Sequence, residues 1–228
     1  MEFISSDWDC VPPNSSPFQR LEIALEASFY LIAYTLALRG EEVPLAKIKG
    51  IRRHWNQGLT HPTIPHITIA LVGRFKNKIG ESYHLMPVVA STPRGLEPKK
   101  WVGRALDKWE KCGVLRGYLF SSTQGDRLPA SYFEPRFLDR LEQVKFAYPE
   151  LIPPHTNPSA EYGVSRSFRR GATSEVTNQG IPSEVIEANS RWRKSQTSGS
   201  QRAKVSIREH YTDIRLTLNL LLRFSQAL

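Results

Sequence analysis

The spacing of apolar positions changes several times along this chain, and each change marks an element. Residues 1–16 hold Pro12, Pro13, Asn14 and two serines without a sustained period, and read as an irregular leader. From Pro17 the apolar positions Leu21, Ala24, Leu25, Phe29, Ile32, Ala33 and Leu36 recur at three-and-four spacing. That predicts a helix running to Arg39, with Gly40 as its break. Residues 65–75 then switch to a β-branched, apolar run that reads as a strand. Lys76-Asn77-Lys78-Ile79-Gly80 supplies turn chemistry, and 82–90 reads as the returning strand of a hairpin.

Helical spacing resumes at 99–111, with Trp101, Ala105, Leu106 and Trp109 as large apolar positions, and at 132–146, with Phe137, Leu138, Leu141 and Val144. A proline-rich loop follows at 148–158. Ser165 is a plausible N-cap for a helix to about Gln179, where Gly180 ends it. Pro182 suits the first turn of a helix over 183–193. The polar stretch 195–201 reads as a loop, and 207–228 as a last helix with Leu216, Leu220 and Phe224 among its apolar positions. The expected fold is α+β and mostly helical, with a small antiparallel sheet inserted after the first long helix. No internal repeat is visible.

Composition adds a partner class. The 228 residues are 40% hydrophobic and 23% charged, which is ordinary for a globular core. The net charge of +9 is not ordinary, and points to a polyanionic partner, nucleic acid ahead of an acidic membrane surface. Cys10 and Cys112 have neither metal-ligand nor redox spacing, which fits a reduced intracellular setting. The most apolar run, 27–38, is too short to span a bilayer, and the first residues lack the pattern of a signal peptide.

Candidate chemistry sits in five places. Arg39 and Glu42 lie three apart, close enough for a carboxylate to fix a guanidinium fork. Lys76 lies in the hairpin turn, where a lysine can donate a proton to a leaving alkoxide, and Lys78 competes for that role. Arg166 and Arg169 share a face at a predicted helix start, whose positive end adds to an anion site. Arg170 points elsewhere, toward a nucleic-acid backbone. Trp192, with an indole N–H to donate, is flanked by the cations Arg191, Arg193 and Lys194. Tyr211 follows, a phenol able to form a covalent phosphate ester.

In this order the residues resemble the catalytic domain of tyrosine recombinases, the phage-type integrases. That family has an Arg-x-x-Glu box, a hairpin lysine, a His-x-x-Arg box, a His or Trp, and a nucleophilic Tyr. Here Arg39 to Glu42 match the first box, Lys76 falls in the hairpin, Arg166-Ser167-Phe168-Arg169 matches the third, and Trp192 and Tyr211 follow. The resemblance covers 17–228. It implies DNA strand cleavage and rejoining, in site-specific recombination or integration, through a 3′-phosphotyrosyl intermediate on Tyr211. Arg39, Arg166, Arg169 and Trp192 would hold the phosphate, Lys76 would protonate the leaving 5′-oxygen, and Glu42 would orient Arg39. No metal or other cofactor is implied.

The implied partner is double-stranded DNA, with four protomers assembling on two sites, and the implied location is intracellular with DNA, the nucleus if the source is eukaryotic. The chain departs from the family in three ways. Arg166 stands where a histidine is expected and cannot act as a base. The interval from Trp192 to Tyr211 is long. Too few residues precede Arg39 for the family's N-terminal clamp domain, which is expected to be absent. The alternative reading is a catalytically inactive DNA-binding protein derived from a recombinase.

Overall fold

A computed structural model describes residues 1–12, 15–55, 64–72, 83–183, 185–186 and 222–228. Within them the chain is α+β and mostly helical, with one two-stranded antiparallel sheet.

The predicted irregular leader is instead helical: α1 spans Glu2–Cys10. Ile4 is buried, and the Trp8 ring meets Trp101 edge-on at 5.7 Å with the Arg104 guanidinium 4.3 Å from its centroid. Tertiary packing holds this short helix, since an isolated nine-residue helix is marginal in water.

α2 (Pro17–Thr35) is the central element. Ser16 caps it by accepting the Phe18 amide at 3.3 Å, and Pro17 occupies the first turn as expected. Its predicted apolar face is buried, and so are Glu26, Ser28 and Thr35, so the helix is enclosed on all sides over its second half. Glu26 tolerates burial because Arg140 donates to it from Nε at 2.9 Å while also bonding Asp7 of α1.

α2 stops before Arg39. The Leu38 amide reaches back to the Ala33 carbonyl, and Ala37 takes a left-handed φ of 46°. This Schellman-type ending falls three residues before the glycine predicted to break the helix. A 3-10 helix at Gly40–Leu45 and α3 (Ile48–Arg53) follow.

The predicted hairpin is present as β1 (His66–Val72) and β2 (Tyr83–Val89), in antiparallel register from His66↔Val89 to Val72↔Tyr83. β1 is buried on both faces, which suits its unbroken apolar run. Pro87 is tolerated in β2, an edge strand with one partner. Residues 46–48 join the other side of β1: Ala46 bridges Leu71, and the Lys47 amide bonds the Ala70 carbonyl at 2.9 Å.

α4 (Pro98–Lys111) packs on α2 through Trp101, Val102, Ala105, Leu106 and Trp109. α5 (Glu134–Ala147), the short α6 (Pro158–Glu161) and α7 (Ser167–Asn178) follow. An aromatic stack joins these layers, with Phe29 4.3 Å from Phe133 and Tyr30 5.3 Å from Phe168. Phe224 and Leu228, at the end of the chain, are buried against Ala37, Ala172 and Val176 of the same chain. No helix among the described residues is long and apolar enough to cross a membrane.

Candidate functional site

The first and third boxes meet. Arg39 extends the chain out of α2 with φ −74° and ψ 149°, and its own backbone amide donates to Glu42 Oε2 at 2.9 Å. Glu42 is buried and holds Arg39 by its backbone amide, a contact that the spacing did not suggest. The next residue, Gly40, donates its amide to the Ser165 carbonyl at 3.2 Å. A Cβ on Gly40 would lie 2.6 Å from the Val164 carbonyl oxygen, so the two backbones approach as closely as only glycine allows.

The third box is pinned from below. Glu134, in the first turn of α5, accepts the Val164 amide at 2.8 Å, and Ser167 Oγ accepts the Gly163 amide at 2.9 Å. These contacts correct the predicted cap. Ser165 does not cap α7; Arg166 occupies that position with φ −134° and ψ −29°, and the helix begins at Ser167. Arg166 therefore lies outside the helix, and Arg169 lies in its first turn. They flank the positive end of α7 in place of sharing one helical face.

Exposure separates the three arginines of this box. Arg166 and Arg170 are exposed, and Arg169 is half-buried. Beside Arg169, Phe168 stacks on Tyr30 and tilts against Phe137 at 4.9 Å, which seats the start of α7 on α2 and α5.

The sheet register adds a direction. Because Ala46 pairs antiparallel with Leu71, the chain upstream of Ala46 runs toward the Val72 end of β1. Lys76 and Lys78 lie outside the described residues, as do Trp192, Tyr211, Arg191, Arg193 and Lys194.

No family model, curated protein or solved structure matches this chain.

The site thus rests on its own geometry. Two arginine-bearing segments distant in sequence are joined by a tight backbone contact, beside a helix N-terminus. Such an arrangement can hold a phosphate and stabilise negative charge developing on its nonbridging oxygens. Among the described residues no group of three or more His, Cys, Asp or Glu side chains gathers as a metal site. Two positioning residues escaped sequence reasoning. Gly40 was legible only as a helix breaker, and Glu134 carried no signal beyond an acidic first turn.

Proposed function

We propose that this chain is a tyrosine recombinase catalytic domain that cleaves and rejoins DNA strands in site-specific recombination or integration. Tyr211 loses its proton to solvent, its phenolate favoured by the arginine charges, attacks a backbone phosphate and forms a 3′-phosphotyrosyl link, releasing the 5′-oxygen. Arg39 and Arg169 stabilise charge on the nonbridging oxygens, with Arg166 and Trp192 as further donors. Lys76 protonates the leaving oxygen. The link conserves the energy of the broken phosphodiester, so a 5′-hydroxyl can reseal it without a high-energy cofactor.

The observation that supports this reading is the Gly40 contact with Val164 and Ser165, which joins the Arg39 segment to the Arg166–Arg169 segment. Arg166 itself favours the second reading, a DNA-binding protein without chemistry, because arginine stays protonated and cannot take the Tyr211 proton.

A nicked suicide duplex, whose cleaved fragment diffuses away, separates the two. A covalent protein–DNA adduct is expected from the wild type and none from Tyr211→Phe. Duplex binding with no adduct would leave the inactive DNA-binding reading, and an adduct persisting in Tyr211→Phe would remove Tyr211 as nucleophile.

A further inference from the structure

Tyr118 draws two cations to one ring. Lys47 Nζ lies 3.1 Å from its centroid and the Arg127 guanidinium carbon 5.6 Å. The ring sits on a frame of backbone bonds: Ile48 N–H to the Gly117 carbonyl at 3.1 Å, Leu119 N–H to the Ala46 carbonyl at 2.8 Å, and a bridge between Ser121 and Arg127. Lys49 and Arg116, both exposed, flank the same paired segments.

None of Lys47, Lys49, Arg116 and Arg127 takes part in an ion pair among the described residues, and neither does the adjacent Asp126. Several cations elsewhere are matched: Arg52 holds Glu110, Arg94 holds Glu175, Arg136 holds Glu22, and Arg140 holds Glu26. With four cations against the one carboxylate of Asp126, and none of them ion-paired among the described residues, this frame produces a positive potential that an external polyanion can neutralise. Arg39 lies on the same stretch of chain, separated from Lys47 by the 3-10 helix Gly40–Leu45.

From this juxtaposition we infer that Lys47, Arg116 and Arg127, set around Tyr118, form a ledge that grips the phosphate backbone of duplex DNA outside the reaction centre. The inference rests on the proposed DNA-recombining function. A duplex held at Arg39 continues onto the ledge, and the grip reads phosphates without reading bases.

The test is the salt dependence of binding to a short mixed-sequence duplex. Arg116→Gln and Arg127→Gln change exposed positions and are expected to keep the wild-type unfolding midpoint. Each should lower the slope of log affinity against log salt by about 0.9, the loss of one phosphate contact. Lys111→Gln, which removes a cation paired with Asp107 on α4, should keep the wild-type slope. Wild-type slopes in both ledge variants, with the wild type binding DNA normally, would overturn the ledge alone. Failure of the wild type to bind duplex at all, or binding indifferent to salt, would overturn the ledge together with the function it rests on.

Discussion

Gly40 shows how one missing side chain organises this molecule. A methyl group there would meet the Val164 carbonyl oxygen at 2.6 Å and its carbon at 3.0 Å, and both are backbone atoms that cannot rotate away. Gly40→Ala should therefore push the two arginine-bearing segments apart. The expected cost is about 1–3 kcal/mol, the range for overpacking a close contact, read as a lower urea midpoint. Adduct yield on the suicide duplex should fall with it. Nothing in the local sequence distinguishes this role from helix termination. Ala37 makes the converse point: its left-handed φ of 46° ends α2 without a glycine, because the residue is fully buried against Ala172 and Val176. A left-handed alanine costs roughly 1 kcal/mol, which tertiary burial of that size outweighs.

α7 is placed by its first turn. Phe168 is held between Tyr30 of α2 and Phe137 of α5, so the helix N-terminus arrives with Arg169 already oriented. Phe168→Ala should cost about 2–3 kcal/mol, below the range for a fully buried phenylalanine because the ring is half-buried. Circular dichroism should still report the helix, while affinity for duplex falls, since docking is lost and helix propensity is not. The helix itself was visible in the apolar spacing. Its cap was not: Arg166 takes that position in place of the better capping residue Ser165, where Gly163 and Val164 are held by Ser167 and Glu134. The hairpin was legible to within two or three residues, because β1 buries a continuous run that no helix of that length would need.

Three helices are joined by one polar knot. Arg140 of α5 binds Glu26 of α2 and Asp7 of α1, and Tyr30 lies one helical turn beyond Glu26. Burial first, and then the Glu26 carboxylate, push the Tyr30 phenol well above its ordinary value near 10. The neutral phenol is thus favoured by the folded state. The stability it contributes is fully present below about pH 10, where the unfolded phenol is also neutral, and is lost as pH rises beyond that. Urea unfolding between pH 8 and pH 11 should show stability falling only near the upper limit, and Tyr30→Phe should flatten that fall. The same knot explains why α1 is ordered against the expectation of a leader. Its partners Arg140, Trp101 and Tyr148 come from α4, α5 and the residue that follows α5, all distant in sequence.

Periodicity and turn chemistry, which depend on residues a few positions apart, were enough to settle the main helices, the hairpin and the order of the chemical boxes. A helix must bury a face every three or four residues, and a strand every residue or every second one, so those patterns are written locally. The meeting of the Arg39–Gly40 segment with Val164 and Ser165 is of another kind. It depends on a backbone hydrogen bond from Gly40 to Ser165, on Glu134 holding Val164, and on Phe168 finding Tyr30 and Phe137. Backbone amides and carbonyls are the same in every residue, so which of them meet across such separations leaves no local mark. Only the packing of α2, α5 and α7 selects them.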